Sequence, residues 1–207
     1  MAEITSVEQL RTRLAAPRPT TLAKIVPALD DQGRTFIARS PFLFMATRDA
    51  AGTVDVSPKG DEPGFARIED DTTLLLPERT GNNLAFGLQN IIATGSVGLI
   101  FMRPGTAETF RVNGRASIHD DADLLARLGT AERPALLAIR VKIERCYFHC
   151  ARSVTRAKVW QPDSWDAPMK VSFGRIIAPR VGGDAKMAAE IDSMVDSAAT
   201  TRLWRNS

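Results

Sequence analysis

Residues 41–150 constrain the fold most, because short strand-like runs follow one another there with only turn residues between most of them. The run "FLFMATRDAAGTVDVSP" predicts a hairpin that turns near Gly52, and "GFARIEDDTTLLLP" predicts a second with its connector at 69–71. Two more strands lie in "SVGLIFMRPGTAETFRVNGRASI", joined at 103–106, and one long strand lies in "ALLAIRVKIERCYFHC". Parallel crossovers need a helix between successive strands, so six or seven strands predict an antiparallel barrel or sandwich.

Helices are predicted around this β region. Residues 1–40 contain Thr5 and Glu8 at capping-box spacing, a stripe of Val7, Leu10 and Leu14, and a second helix over 30–38. Helices at 82–92 and 121–128 are expected to cap the barrel. A last amphipathic helix carries one stripe of Met187, Ile191, Met194, Val195 and Ala198. We predict a single, mainly β domain over 1–207, with N-terminal helices at 1–40 and a C-terminal helical extension at 151–207.

Composition narrows the class of protein. The chain of 207 residues is 44% hydrophobic and 25% charged, typical of a globular protein with a sizeable core. Its net charge of +3 is a small excess of 27 basic over 24 acidic residues, and no block of cations suits a nucleic-acid arm. No apolar run approaches the roughly 18 residues of a membrane span, and the N-terminus lacks a secretory pattern. We therefore expect a cytoplasmic protein that binds neither membrane nor nucleic acid.

The two cysteines, Cys146 and Cys150, are too few for a disulfide framework. On a strand they lie about 13 Å apart, too far for a disulfide unless the chain bends. His149 is adjacent, but the only other histidine is His119, so no metal site is predicted. Two half-buried thiols are expected.

The β pattern is interrupted by polar stretches, of which the first two along the chain are residues 55–64 and 74–91. "DVSPKGDEPG", residues 55–64, is typical of a β-turn, or of a Ser hydroxyl, a Lys and backbone amides that line an anion or a polar ring. "LLLPERTGNNLAFGLQNI", residues 74–91, predicts a turn and a helix N-cap at Asn82 or Asn83. Free amides at a helix start beside Arg79 also suit a phosphate. Local pattern leaves both interpretations open.

Two further stretches are rich in arginine. In "ETFRVNGRA", Arg111, Asn113 and Arg115 project from one face of a strand, as either a solvated face or the floor of a groove. "HCARSVTRAKVW" places Arg152, Arg156 and Lys158 before Trp160, which fits a solvated basic helix or a binding wall. No nucleophile–base pair stands out, and the histidines lack an evident orienting carboxylate. If the protein is an enzyme, a cofactor supplies the chemistry.

In order along residues 35–165, the motifs "DVSPKGDEPGF", "LPERTGNNLAFGLQNI", "GLIFMRPGTAETFRVNGRA" and "CYFHCARSVTRAKVW" resemble the pyridoxamine 5'-phosphate oxidase-related FMN-binding proteins. Within that superfamily they are most similar to a bacterial branch of uncharacterised FMN-dependent proteins. The resemblance implies a split antiparallel β-barrel, a homodimer, and FMN held non-covalently where both subunits contribute.

The resemblance also implies site residues. Along the flavin, mostly through backbone groups, it places Asp55, Val56, Ser57, Pro58 and Lys59. At the ribityl phosphate it places Arg79, Asn82 and Asn83, and from the neighbouring strand Arg111 and Asn113. Residues that close the site, from the same subunit or from the partner, are His149, Arg152, Arg156 and Trp160.

Two departures limit the resemblance. Members of the branch often carry a basic residue after the Gly-Asn pair, where this chain has Leu84, so the phosphate would rely on Arg79 and on Lys59 or Arg152. The terminal "TTRLWRNS" lacks the Arg-aliphatic-His-acid-Arg signature of pyridoxine phosphate oxidases, so vitamin B6 synthesis is not predicted.

Three functions follow from these observations. The first is an FMN-dependent oxidoreductase of unknown substrate and redox partner. The alternative is a non-enzymatic flavin- or haem-related binding or redox-sensing module, since fold does not determine function. A basic nucleic-acid-binding barrel ranks last, because few aromatic residues lie near the arginines.

Overall fold

The computed structural model describes residues 3–201 and 203, and one antiparallel sheet forms the centre of the molecule. Its seven strands are β1 Phe42–Arg48, β2 Val54–Gly60, β3 Arg67–Asp70, β4 Thr73–Glu78, β5 Ser96–Met102, β6 Thr109–His119 and β7 Leu137–His149. They are ordered β2-β1-β5-β6-β7-β4-β3, and every pair is antiparallel. The prediction of an antiparallel sheet with about seven strands is confirmed.

Helices occupy the two ends of the chain and two of the connections. They are α1 Val7–Arg11, α2 Pro19–Leu22, α3 Asp31–Ala38, α4 Phe86–Thr94, α5 Ala122–Leu128, α6 Arg152–Arg156, α7 Phe173–Ile177 and α8 Ala185–Thr201. Short 3-10 turns lie at Pro162–Ser164 and Ala178–Val181. Of the proposed domain, residues 1, 2, 202 and 204–207 lie outside the described part of the chain.

The inner face of the sheet carries the main hydrophobic core. Period-two alternation sends every second side chain of β1, β5 and β6 to this face, where α3 and α4 cover it. The largest fully buried side chains there include Leu43, Met45, Leu99, Phe101 and Val112. A smaller cluster beneath α5 joins Leu75, Leu128 and Ala138 on the other side of β4. Because β4 is covered on both faces, all six of its residues are buried.

The sheet curls strongly without closing. In the spatial order of the sheet, β2 is the first strand and β4 is the sixth. Even so, Lys59 Nζ on β2 lies 2.5 Å from Glu78 Oε2 on β4. No ladder joins the two ends of the sheet within the described residues, so β2 and β3 remain edge strands. A side-chain ion pair thus spans the gap that a closed barrel would fill with backbone hydrogen bonds.

The predicted helix starts were only partly correct. Asp30 caps α3 by accepting the amide of Gly33, and α5 lies where expected. The N-cap of α1 is Ser6, not Thr5: Ser6 Oγ accepts the Gln9 amide, and Gln9 Oε1 accepts the Thr5 amide. The box therefore uses Ser and Gln one position later than predicted.

The terminal helices pack less tightly than their apolar stripes predict. Val7, Leu10 and Leu14 are exposed, so the stripe of α1 covers no core in a single chain. Helix α8 packs on α7 chiefly at Ala188, whose carbonyl Gly174 admits to a distance that any side chain would obstruct, whereas Met187 and Met194 of the predicted stripe are exposed. Asp192 on α8 accepts the Ser172 hydroxyl at 2.5 Å and the Gly174 amide at 2.7 Å, which ties the two helices together.

The two cysteines differ in environment, contrary to the expectation of two half-buried thiols. Cys146 is fully buried and Cys150 is exposed, and both are free. Burial, with a smaller effect of the Asp30 charge, raises the pKa of Cys146 to about 11. None of the described helices is both long enough and apolar enough to cross a membrane.

Candidate functional site: a cavity beside the edge strand

A cavity of about 450 Å³ opens in the gap between β2 and the stretch that follows β4. Its walls are residues 55–61 and 77–82, completed by Phe65, Leu84 and Phe86. Small-molecule sites typically have volumes of about 300–1,000 Å³ and combine apolar walls with a few polar groups. The cavity has the size and the mixed character of such a site.

The β2 wall is an open sheet edge. Within the part of the chain that the structure describes, strand β2 pairs only with β1, so the backbone N–H and C=O groups on its other side have no strand partner there. The side chains of Asp55, Ser57 and Lys59 share the inner face with Leu43 and Met45, their neighbours in the register. This wall therefore offers backbone hydrogen bonds along its edge as well as polar side chains.

Lys59 and Glu78 form a buried ion pair at the back of the cavity. Their side chains are only 9% and 7% exposed, and the Nζ–Oε2 distance is 2.5 Å. Removing both charges from water costs several kcal/mol per ion, which their mutual attraction offsets only at close range. The amine that sequence reasoning placed on the flavin is thus already neutralised within the chain.

Arg79 lines the cavity, but its guanidinium is occupied. Nε and Nη2 both approach Asp61 Oδ2, at 3.0 and 2.8 Å. Nη1 donates to the Arg133 carbonyl at 2.8 Å, and Nη2 donates to the Leu128 carbonyl at 3.1 Å. Arg79 therefore clamps the loop after α5 against the end of β2.

The start of α4 closes the cavity at one corner. The helix begins at Phe86 with Ala85 as its N-cap, in a left-handed conformation (φ 51°) and without a side-chain cap. The prediction that Asn82 or Asn83 is the N-cap is therefore wrong. Asn82 Oδ1 accepts the Ala85 amide at 3.2 Å, in the turn that precedes the helix. The helix starts four residues later than expected, because 82–85 form a turn rather than its first coil.

A carboxylate already faces the α4 N-terminus. A side chain on Gly87, in the first turn, would lie 3.6 Å from both Asp55 Oδ2 and Ser57 Oγ. Ser57 donates to that same carboxylate oxygen at 2.8 Å. The partial positive charge of a helix N-terminus stabilises such an anion. Each positive group of this cavity therefore has an acidic neighbour from the same chain.

The remaining predicted residues lie on the other face of the sheet or beyond its end. In the register, Arg111 stands opposite Tyr147, and Asn113 stands opposite Arg145. All four alternate with core residues such as Val112 and therefore project outward. Arg111 Nε is buried and has no hydrogen-bond partner among the described residues. In a single chain, this group does not meet the cavity.

The segment after β7 folds over the same end of the sheet. His149 ends β7, and its pKa is lowered by burial and by the positive charges of Arg111 and Lys24. Arg152 and Arg156 lie exposed on α6. Trp160 Nε1 donates to the Thr106 carbonyl at 2.8 Å and so holds this segment on the β5–β6 connection.

The structure therefore divides the predicted site into two groups. The cavity brings together Asp55, Val56, Ser57, Pro58, Lys59, Arg79 and Asn82, with Asn83 beside them in the chain but not in the wall. Sequence reasoning missed Glu78 and Asp61 as the partners of the cavity cations. Their only signal was an acidic residue at the end of an apolar strand and another in a turn.

His119 has Ser117 and Asp121 as polar neighbours in the structure. Ser117 Oγ lies 2.8 Å from His119 Nε2, and Asp121 Oδ2 lies 3.8 Å from Nδ1. These side chains are on or near the surface, outside the walls of the cavity. The order resembles a catalytic triad, but the second contact is too long for a hydrogen bond, so it carries no assignment.

The protein is thus a mainly β protein, with a curled antiparallel sheet and a polar cavity at its open edge. The model of the pyridoxamine 5'-phosphate oxidase family matches residues 29–150, more than half of the chain. The chain therefore belongs to that family. The match covers all seven strands and ends just after His149.

Solved structures to which the chain is similar include HupZ of Group A Streptococcus, at 19% identity and a TM-score of 0.47, covering 58% of this chain and 93% of that one. A conserved hypothetical protein of Mycobacterium tuberculosis is 15% identical, with a TM-score of 0.45, and covers 72% and 94%. An FMN-binding protein of Syntrophomonas wolfei is 14% identical, with a TM-score of 0.43, and covers 56% and 88%. No curated protein matches the chain.

Proposed function

We propose that this protein is an FMN-binding flavoprotein with a split-barrel fold, whose flavin occupies the cavity beside β2. The observation that carries the proposal is the convergence in one cavity of residues from two separate motifs, 55–59 and 79–82. Bound FMN would supply redox chemistry, by hydride or single-electron transfer, to a substrate that the residues do not identify.

The cavity suits the ring system of a flavin. An isoalloxazine needs an apolar bed and alternating donors and acceptors along its pyrimidine edge. Phe65, Leu84 and Phe86 supply apolar surface, and the unpaired edge of β2 supplies backbone groups. In this arrangement residues 55–59 orient the ring chiefly through their backbone.

A single chain offers few unpaired positive groups to the phosphate of FMN. A phosphate monoester carries roughly −1.5 to −2 charges near neutral pH. Lys59 and Arg79 are the cations of the wall, and Glu78 and Asp61 already neutralise them. We assign the phosphate to Asn82 and the adjacent Asn83, with Lys59 shared between Glu78 and the ligand, because the start of α4 already faces the Asp55 carboxylate. Arg79 maintains the wall of the cavity while lying beside the phosphate.

The second group of predicted residues reaches a flavin only from another subunit. Arg111, Asn113 and His149 project from the outer face, and Arg152, Arg156 and Trp160 lie beyond its end. The outer face of β1 and β2 exposes Phe44, Val54 and Val56, an apolar surface suited to a second copy of the chain. We therefore propose a homodimer in which this second group closes the partner's cavity.

The absorption spectrum of the purified protein tests the proposal. Flavin bands, with FMN identified by mass after denaturation, are the expected result. Protein that is colourless and stays so after incubation with FMN would refute it. Turnover with NADH or NADPH and an electron acceptor then separates an oxidoreductase from a non-enzymatic flavin carrier or redox sensor.

A further inference from the structure

Lys24 belongs to the N-terminal segment, yet backbone hydrogen bonds hold it on the outer face of β7. The Val26 amide donates to the Cys146 carbonyl at 3.1 Å, and the Val26 carbonyl accepts the Cys146 amide at 2.8 Å. Two residues before this anchor, Lys24 Nζ lies 5.6 Å from the centre of the Tyr147 ring. Tyr147 stands opposite Arg111 in the register. A lysine far from the four motifs in sequence therefore lies beside the second group of predicted site residues.

The Lys24 ammonium is available to a ligand. Within the described part of the chain it forms no ion pair, and the residue is exposed. Its contact with the Tyr147 ring is a cation–π contact, which at an exposed site is weaker than a charge-assisted hydrogen bond to a phosphate oxygen. The flexible four-carbon stem lets the ammonium move from the ring to such an oxygen. Burial, together with the charges of Arg111 and Lys24, lowers the pKa of His149, so the Lys24 charge also acts at the end of β7.

The cavity beside β2 lacks the positive charge that a phosphate requires. A phosphate monoester carries roughly −1.5 to −2 charges near neutral pH. In the cavity wall, Lys59 pairs with Glu78 at 2.5 Å and Arg79 pairs with Asp61 at 2.8 Å. The start of α4 already faces the Asp55 carboxylate. Positive charge for the phosphate therefore has to come largely from another copy of the chain.

We infer that Lys24 of one protomer binds the FMN phosphate in the cavity of its partner. The inference rests on the proposed function, in which Arg111 and His149 close the partner's cavity. Since Lys24 lies on the same outer face as these two residues, a dimer contact that brings them to the flavin brings the ammonium as well. Leu22 and Ile25, on either side of Lys24, expose apolar side chains, which suits a segment that a second copy covers.

A comparison of FMN with riboflavin tests this inference, because riboflavin has the same ring system and no phosphate. Lys24→Gln is expected to weaken FMN binding by about tenfold or more, the loss of one charge-assisted hydrogen bond, and to leave riboflavin binding unchanged. Lys24→Arg keeps the charge and should retain most of the FMN affinity. Lys186→Gln, the same substitution at an exposed lysine of α8, should change neither affinity.

Mixed dimers of two differently tagged chains test whether the lysine acts across the interface. Asn82→Asp disables a cavity by placing a carboxylate at the phosphate. With Asn82→Asp and Lys24→Gln on different chains, the intact cavity faces a native Lys24 and should bind FMN as tightly as the wild type. With both substitutions on one chain, the intact cavity faces the substituted lysine and should bind about tenfold more weakly.

The failure of this inference can be told apart from the failure of the proposed function. Equal FMN affinity of Lys24→Gln and the wild type, or an equal loss of riboflavin affinity, would overturn the inference and leave FMN binding intact. The reverse order of affinities in the mixed dimers would assign Lys24 to the cavity of its own protomer, and a monomeric flavoprotein would exclude a partner altogether. Either result overturns the inference. A wild type that binds no FMN refutes the proposed function and this inference with it.

Discussion

Two regions of the molecule differ in how their cations are paired: the cavity beside β2, and the outer face of β6 and β7 at Lys24, Arg111 and Arg145, which we call the outer cation cluster. In the cavity, Lys59 faces Glu78 and Arg79 faces Asp61, so each cation has a carboxylate at hydrogen-bond distance. In the cluster, no described carboxylate pairs with a cation, and Arg111 Nε has no acceptor. Paired cations stabilise the walls of a site, whereas unpaired cations are available to a ligand. Counting basic residues in the sequence would have ranked the two regions alike.

The largest effect is expected from breaking the buried pair. Glu78→Ala leaves the Lys59 ammonium buried without its partner, which should cost about 3–5 kcal/mol of unfolding free energy. Urea unfolding measures it. The double variant Lys59→Met/Glu78→Leu replaces the pair with apolar groups and should recover most of that loss. A Glu78→Ala protein as stable as the wild type would show that the pair is not buried in solution.

Removing the Arg79 clamp ranks second. Arg79→Ala deletes the contacts with Asp61, Leu128 and Arg133 and should cost about 2–4 kcal/mol, since hydrogen bonds to charged groups contribute roughly 1.5–3 kcal/mol each and do not add fully. Arg79→Lys should recover only part of it, because an ammonium lacks the planar fork. FMN retention should fall in both. Weakened FMN retention with unchanged stability would instead make Arg79 a direct phosphate ligand.

Neutralising the outer cation cluster should cost little. Arg111→Gln removes an unpaired charge beside two other cations, so we expect a change in unfolding free energy within about 1 kcal/mol. Urea unfolding at low salt, with Arg115→Gln as the matched variant, measures this change. A loss comparable to that of Glu78→Ala would mean that Arg111 has a partner in solution that the chain itself or a second copy supplies.

The smallest effect concerns pH. The pKa of His149 lies below its ordinary value of 6.5, so the unfolded chain binds the proton more readily than the folded one. The His149 contribution therefore makes stability fall as pH drops from about 7 through 6.5 towards the folded-state pKa. Arg111→Gln should flatten this decline by removing one source of the shift. Urea unfolding of the wild type and of Arg111→Gln at pH 7 and pH 5 measures this decline. An equal loss of unfolding free energy between the two pH values in both proteins would contradict the prediction.

The strands were predictable because their signals are local. Alternation along β1 and β6 and the turn residues at Gly52 and 103–106 set the hairpins without reference to the rest of the chain. The start of α4 was not predictable, because Ala85 adopts a left-handed conformation that alanine rarely takes. Only the curl of the sheet brings Lys59 to Glu78, nineteen residues away.

The residues of the candidate site, like the elements of the fold, were predictable where the signal was local and not where it depended on the tertiary structure. Residues 55–59, Arg79 and Asn82, which the motifs assign to one site, do line one cavity, whereas Asn83 does not. The motifs did not predict that the sheet separates these residues from Arg111 and His149, because a strand pattern tells which residues share a face but not what a partner subunit brings to it. The apolar stripe of α1 was likewise predictable as a pattern, but no part of the chain that the structure describes buries it.

An FMN titration of the wild type beside Leu84→Arg tests the central claim, flavin in the cavity beside β2, most directly. Leu84 lines the cavity and is 68% exposed, so an arginine there adds an unpaired cation to the site at little cost to folding. The account predicts one FMN per chain for both proteins and several-fold tighter binding by Leu84→Arg than by Leu84→Gln. Failure of all three proteins to bind FMN would contradict it, and so would affinities that do not depend on residue 84.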